Sequence, residues 1–408
     1  MADTLRPCDA KDVAAAIEWA AGEGKTLEIV GLGSKRRIGR AAQWDLTLDL
    51  SSLTGVTLYE PEELVLSARA GTPIADIEAL IGGKGQELAF EPMDCGPLFG
   101  AGANKGTLGG VLAANVSGPR RIKSGAARDH FLGVSAVSGR GETFKSGGRV
   151  VKNVTGYDLC KVLAGSWGTL AAMTDVTIKV LPKAETEQTL IAFGLDDRTA
   201  VKAMAAALGS PGDVSAAAHI PASVAPRVAG AAAAGRAVTA LRLEGVGPSI
   251  AARRAGLEAL LKPYGELIAV SERSSHALWQ AVRDVTPFEP PASGPVPPLW
   301  RISTAPARGP EIAAQVAAQC EAEALYDWGG GLVWMQIAGR ADAGARFVRR
   351  AIAACGGHAT LYRAEAAMRA SVDVFEPQDP ALAALTGRVK EGFDPKGILG
   401  PGRMYAGT

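Results

Sequence analysis

Lys105-Gly106-Thr107-Leu108-Gly109-Gly110-Val111-Leu112-Ala113-Ala114-Asn115-Val116-Ser117-Gly118 is the stretch on which the fold turns. Small residues alternate here with single hydroxyl and amide groups over fourteen positions. A buried loop of that composition makes a poor core unless something else fills the space and satisfies its backbone groups. A second stretch of the same kind follows, Gly147-Gly148-Arg149-Val150-Val151-Lys152-Asn153-Val154-Thr155-Gly156-Tyr157-Asp158, and leads into Gly165-Ser166-Trp167-Gly168-Thr169-Leu170. Two such loops in one domain predict a large flat ligand lying between them. Upstream, Gly31-Leu32-Gly33-Ser34-Lys35 closes a predicted strand, where glycines let the backbone approach an anion and turn its N–H groups toward it. A tight turn explains two glycines equally well. The third glycine of the dinucleotide fingerprint would fall at position 36, which is Arg36, so the Rossmann pattern is absent.

Working outward, residues 9–22 carry apolar positions at helical spacing (Val13, Ala16, Ile17, Ala20), and 27–30 and 46–50 read as strands. Residues 57–71 are strand-like, and Pro73 suits the first turn of a helix over 74–81. Further strands are expected around 131–137 and 176–180. At Leu181-Pro182-Lys183 the glycine-rich texture stops. Alanine-rich helices at 199–208, 249–261, 311–323 and 342–354 then alternate with strands at 189–193, 239–243, 299–303, 332–337 and 360–363, a pattern that predicts a ferredoxin-like α+β half. No internal repeat stands out, beyond two conceivable β-α-β blocks in that half. The segment 287–298 is proline-rich and reads as an irregular surface loop. A chain of 408 residues exceeds the usual size of one core, and the boundary is expected at 183/184.

The 43 basic and 42 acidic side chains cancel to +1 without segregation, which argues against nucleic acid as the main ligand. Lys35-Arg36-Arg37 and the group Arg120, Arg121, Lys123 are candidate anion sites or, equally, solvated basic loops. The five cysteines are scattered without a C-x-x-C, which suggests neither a disulfide framework nor a zinc or iron–sulfur site and fits a reducing cytosol. The first ten residues lack an apolar signal region and no run of about 18 apolar residues occurs, so a cytoplasmic chain without a membrane span is expected.

Taken in order, Val30-Gly31-Leu32-Gly33-Ser34, Arg69-Ala70-Gly71-Thr72, Gly106-Thr107-Leu108-Gly109-Gly110, Asn115-Val116-Ser117-Gly118, Gly125-Ala126-Ala127-Arg128-Asp129, Lys152-Asn153-Val154-Thr155-Gly156-Tyr157-Asp158 and Gly165-Ser166-Trp167-Gly168-Thr169-Leu170 resemble the vanillyl-alcohol-oxidase, or PCMH-type, FAD-binding domain in order and spacing. With Tyr326-Asp327-Trp328-Gly329-Gly330 and the tail Phe393-Asp394-Pro395-Lys396-Gly397-Ile398-Leu399, nearly the whole chain resembles the FAD-binding subunits of bacterial glycolate oxidases. The resemblance implies an α+β protein: a two-subdomain PCMH-type FAD-binding domain over 1–183, a ferredoxin-like α+β cap over 184–390, and a tail, 391–408, returning to the first domain. It implies that the backbone of Leu32, Gly33, Ser34 and Lys35 cradles the pyrophosphate, while Thr107, Gly109, Gly110, Asn115, Ser117 and Gly118 pass the diphosphate and flavin. Thr155, Gly156, Tyr157, Ser166, Gly168 and Thr169 would complete the pocket near the adenosine half and the ring.

Two departures from the family pattern matter. Family members often carry Asn before the C-terminal Pro-Gly-Arg, whereas Gly400 stands there, which weakens the case for this tail touching the ring. The first loop holds Ser34 and Lys35 but no His or Cys, so the FAD is expected to be non-covalent. The histidine-rich segment common in related 2-hydroxy-acid dehydrogenases is absent. His130, His219, His276 and His358 are dispersed, with His130 read as a turn residue or a flavin neighbour and His358 as a turn residue. In the second half, Trp300-Arg301 and Tyr326-Asp327-Trp328 are candidates for the flavin's open face. Arg301 suits either a bidentate carboxylate or an ordinary ion pair. The resemblance points to a subunit that acts on a small 2-hydroxy acid together with a second FAD subunit and an iron–sulfur subunit, peripheral to the inner membrane only through them. A self-sufficient FAD dehydrogenase of another hydroxylated substrate and a non-catalytic partner of a sister chain are the alternatives.

Overall fold

The structure is a computed structural model that describes residues 3–149, 156–231, 235–265 and 267–407. It opens with β1 (Asp3–Leu5), α1 (Ala10–Glu23), β2 (Leu27–Val30) and β3 (Leu46–Asp49), and β1 and β2 flank β3 in a parallel three-stranded sheet. α1 starts where the Asp9 carboxylate accepts the Lys11 and Asp12 amides and stops at Gly24, left-handed at φ 64°. Its buried stripe, Val13, Ile17, Ala20 and Ala21, packs on Leu27 and Leu48.

The chain continues through β4 (Val56–Glu60), β5 (Val65–Arg69), α2 (Ile74–Gly82), β6 (Gln86–Glu87), α3 (Leu108–Ala114), two single-turn helices α4 (Arg121–Ser124) and α5 (Ala127–His130), β7 (Phe131–Ser138), β8 (Thr143–Gly147), α6 (Leu159–Leu163), β9 (Ala171–Lys179) and β10 (Leu181–Pro182). An antiparallel sheet in the order β4-β5-β9-β7-β8 results. The strand-like run 57–71 is in fact a hairpin, broken at Pro61 and turned through Leu64, whose φ is 58°. The centre of the small-residue stretch is likewise a helix rather than a loop. Thr107 caps α3 by accepting the Gly110 amide at 3.3 Å, Asn115 closes it at φ 49°, and Leu108, Val111 and Leu112 form a buried stripe at helical spacing.

The second half forms one eight-stranded sheet, β14-β11-β13-β12-β16-β17-β15-β18. The first four strands belong to β11 (Thr186–Phe193), α7 (Asp197–Leu208), β12 (Ala216–Ile220), β13 (Val238–Gly245), α8 (Gly247–Leu261) and β14 (Leu267–Val270). After α9 (Glu272–Asp284), the same β-α-β-β-α-β order recurs as β15 (Leu299–Ser303), α10 (Gly309–Ala317), β16 (Ala322–Asp327), β17 (Leu332–Ile337), α11 (Ala345–Cys355) and β18 (His358–Arg363). The conceivable pair of β-α-β blocks is therefore two complete ferredoxin-like units, joined where β12 meets β16 at His219 and Tyr326. The helix expected over 311–323 ends at Ala317, and its last two residues begin β16.

One face of this sheet is covered by α10 and α11, over Trp300, Ile302, Val333 and Met335. The other presents Leu299, Leu325, Leu332, Trp334 and Tyr362 to Met93, Cys95, Leu98 and Val116 of the first half, in one continuous core. The chain ends in α12 (Ala366–Ser371), α13 (Pro380–Phe393) and a tail that lies beside β2. Leu27 donates to the Ile398 carbonyl and Gly400 to the Leu27 carbonyl, each at 2.8 Å.

Candidate functional site

A cleft opens at the C-terminal end of β2, between the turn that follows it, the open side of α3 and the Trp167-Gly168 turn. Its shape depends on close backbone packing. A Cβ on Gly31 would lie 2.6 Å from the Thr107 hydroxyl oxygen, and one on Gly109 would lie 2.8 Å from the Ala70 Cβ, so these glycines bring β2, β5 and α3 together. Gly33 differs: at φ 78° it turns the chain across the mouth of the cleft, with open space where a side chain would be.

Lys35, Arg36, Lys105 and Arg403 line the cleft, and among the described residues no carboxylate does. Arg36 donates to Glu28 at 2.7 Å, and Arg403 lies 3.7 Å from the same buried carboxylate, so one acid serves two guanidiniums. Burial lowers the Arg403 pKa against the opposing pull of Glu28. Lys35 is buried, and its ammonium reaches the Ser34 hydroxyl at 3.3 Å but no carboxylate among the described residues. The inner wall, by contrast, is apolar: Ile29, Leu50, Ala113, Ala114, Trp167 and Met173. Surplus positive charge at the mouth and an apolar slot behind it suit a ligand with anionic phosphates and a flat ring.

Of the residues singled out in the sequence, Leu32, Gly33, Ser34, Lys35, Thr107, Gly109, Gly110 and Gly168 line this cleft. Asn115, Ser117 and Gly118 brace its back. The Asn115 side-chain oxygen accepts the Arg128 amide at 3.0 Å, the Ser117 hydroxyl accepts the Ala127 amide at 2.8 Å, and the Gly118 carbonyl accepts the Trp328 indole N–H at 3.0 Å. Ser166 and Thr169 stand on the other side of their turn, lining a separate groove against α13. Gly156 and Tyr157 are exposed, and Thr155 lies outside the described residues with the rest of 150–154. Arg36, Lys105, Trp167, Met173 and Arg403 were not anticipated as site residues. Lys105 and Trp167 stood inside the quoted motifs, Arg36 in a basic triplet, and Arg403 in the tail that Gly400 had discounted.

The remaining candidates separate by sheet face. Trp300 is fully buried on the outer face with its indole N–H on the Ala343 carbonyl, and Tyr326 is buried there with its hydroxyl on Asp197, so neither faces the first half. Trp328 and Arg301 do face it. The ion pair considered for Arg301 is absent among the described residues, and its guanidinium stacks on tryptophans instead. His130 is buried with a backbone carbonyl at each ring nitrogen, Ser124 at 2.9 Å and Lys179 at 3.3 Å, and burial depresses its pKa. His219 is buried between Thr239 and Asp197. His358 opens β18 opposite Ser303 rather than sitting in a turn.

A family model for an FAD binding domain matches residues 2–147. The glycolate oxidase subunit GlcE of Escherichia coli (strain K12) is 33% identical over 405 residues, 98% of this chain and 99% of that protein. The chain belongs to the GlcE family of glycolate oxidase subunits. The glycolate oxidase subunit GlcD of Bacillus subtilis (strain 168) is 31% identical over 148 residues, 36% of this chain and 30% of that one. Among solved structures, p-cresol methylhydroxylase superposes with a TM-score of 0.73 at 12% identity, over 98% of this chain and 88% of that one. The 4-ethylphenol oxidase from Gulosibacter chungangensis does so with 0.71 at 13% identity, over 99% and 89%. These likenesses establish the PCMH-type fold for this GlcE-family chain, and with the family match they make it an FAD-binding oxidoreductase.

Proposed function

We propose that this chain is the FAD-binding subunit of a multi-subunit glycolate (2-hydroxy-acid) oxidase and holds its FAD non-covalently in the cleft at the end of β2. The observation that carries the reading is Lys35, a buried ammonium beside a glycine turn with no carboxylate to neutralise it. The backbone of residues 32–35, with Lys35, Lys105 and Arg403, would take the diphosphate, and Thr107, Gly109 and Gly110 pass along it. Trp167, Met173, Ala113 and Ala114 would exclude water from the ring. Asn115, Ser117 and Gly118 hold the turn behind it, and Thr155, Gly156, Tyr157 and Gly168 remain assigned to the adenosine half and ring, whereas Ser166 and Thr169 face the groove against α13 and are not. When bound, FAD supplies an acceptor for the two electrons of 2-hydroxy-acid oxidation.

Removal of the hydroxyl proton needs a base near the ring. Both buried histidines, His130 and His219, are committed to hydrogen bonds elsewhere, so we assign the base itself to a second FAD subunit. Onward electron transfer falls to an iron–sulfur subunit, since the cysteines here are scattered. No helix among the described residues is long and apolar enough to cross a membrane, and we place the assembly in the cytoplasm or at the inner membrane through its partners.

The test is purification of the chain alone and co-expressed with a second flavoprotein and an iron–sulfur protein. The chain alone should be yellow, release FAD into the supernatant on acid precipitation, and reduce a dye with glycolate only weakly. The assembly should be active. A chain that stays colourless after reconstitution with FAD, or one that alone matches the assembly's rate, would overturn the proposal.

A further inference from the structure

We infer that Arg301 is a binding residue for the carboxylate of a small organic acid, on the face of the cap sheet turned toward the FAD-binding half. This rests on the preceding reading for its place in the reaction, and deepens it by assigning the substrate's charged end to a side chain of this subunit.

The register of β15 sets Arg301 opposite Trp334 on one side and Thr360 on the other, so the three side chains stand in one row. Trp334 belongs to the core shared with the first half, whereas the flanking residues Trp300 and Ile302 belong to the outer one. The guanidinium carbon lies 5.1 Å from the Trp328 ring centre and 5.9 Å from that of Trp334. Arg121, from the first half, approaches the same Trp328 ring to 4.3 Å. The indole between them is itself held, through its N–H on the Gly118 carbonyl.

Two guanidiniums thus meet at one indole, and Arg301 forms no hydrogen bond or ion pair with any described residue. Around them, desolvation and the neighbouring guanidiniums hold the pKa of His358 down, and burial raises the carboxyl of Asp327, which accepts the Trp328 amide, to about 7. A half-buried guanidinium set beside two aromatic rings and without an anion is prepared for a planar, two-point partner, which a carboxylate is. The position also matters. Ala114 and Trp167, which line the cleft, pack against the same apolar core that contains Trp328, Trp334 and Tyr362, so the arginine's row and the apolar wall of the cleft border one core.

The experiment titrates the FAD-loaded full chain with oxalate and, separately, with sulfate, by calorimetry and by tryptophan fluorescence, since Trp328 and Trp334 flank the site. Oxalate should bind and change the fluorescence. Arg301→Met should weaken it about tenfold or more, and Arg301→Lys, which keeps the charge but not the fork, by an intermediate factor, with FAD content and melting temperature unchanged in the Lys variant. Sulfate should bind much more weakly. Oxalate binding that survives Arg301→Met or is unaltered in Arg301→Lys, no oxalate binding by the wild-type chain, or sulfate binding as tight as oxalate would each overturn the inference. Loss of FAD from the wild-type chain would instead sink the functional reading, so the two failures are distinguishable.

Discussion

Lys35 is unusual in being a buried ammonium whose nearest polar side-chain partner is a hydroxyl. Replacing it with Met removes an unneutralised charge from the empty cleft and a charge-assisted contact from the filled one. Lys35→Met is therefore expected to weaken FAD binding about tenfold or more while leaving the apo melting temperature unchanged or raised, as measured by FAD titration and thermal melts. Gly110 lines the same cleft, with its absent Cβ 3.0 Å from the Thr107 hydroxyl that caps α3. Gly110→Val should yield folded protein without flavin, and a yellow variant at full stoichiometry would count against the pocket. Asp327 carries a pH signature. Burial, with the Glu91 charge adding to it, raises its pKa to about 7, above the ordinary 3.8. A carboxyl raised on folding stabilises the native state below its unfolded pKa, and that stability is lost as pH rises from about 4 through 7. Asp327→Asn should therefore melt higher than wild type at pH 8 and about the same at pH 4, and equal pH dependence of the two proteins would refute the assignment.

At the scale of elements, one buried cation joins the C-terminal helix, the tail and the turn beside the cleft. Lys390 of α13 donates to the Thr169 carbonyl, the Asp394 carboxylate and the Leu399 carbonyl, each at 2.7 Å. Asp394 in turn accepts the Ile398 and Leu399 amides, which turns the chain back onto β2. Through this hub the tail carries Arg403 to the cleft, and the Gly165 to Leu170 turn is held from behind. Lys390→Met leaves Asp394 buried without its counter-ion and should cost about 3–5 kcal/mol in chemical denaturation, with weakened FAD binding as the secondary effect. An effect below about 1 kcal/mol would mean that the tail is held by its backbone contacts alone.

At the scale of the whole molecule, the two halves are locked by a buried ion cluster beside their shared apolar core. Glu91 of the first half accepts both terminal nitrogens of Arg242, from β13, at 2.8 and 2.9 Å, and also the Arg120 amide. Arg120 reaches Glu87 and Glu244 at 2.7 Å each. Burial works against the Glu91 charge, but Arg242 and Arg120 outweigh it and hold the carboxyl below its ordinary range. Breaking such a pair from one side strands the other charge. Arg242→Met is expected to lose about 3–5 kcal/mol and to open the junction near residues 183–185 to limited proteolysis, and a variant as resistant as wild type would show that the apolar core alone joins the halves.

Much of this architecture is legible in the chain itself, because it is written in local terms. The stripe of α1, the strand 27–30, the glycine turn after it and the strands 299–303 and 332–337 follow from period, cap and turn chemistry within a few residues, and the resemblance carried the cofactor and the fold class. Other features have no local signature. β12, Ala216-Ala217-Ala218-His219-Ile220, lacks the β-branched alternation of a half-exposed strand because it is buried on both faces, and only its neighbours make it a strand. α3 was hidden because glycine and alanine on its open side mask the leucine and valine stripe beneath. Arg403 enters the cleft because a lysine and an aspartate fold the tail back, Arg301 meets tryptophans rather than a carboxylate because the sheet register sets it among them, and Ser166 and Thr169 part from Trp167 and Gly168 because a turn has two sides. Propensity and spacing act over a few residues, whereas the charge balance and lining of a site are sums over residues that meet only when distant segments pack.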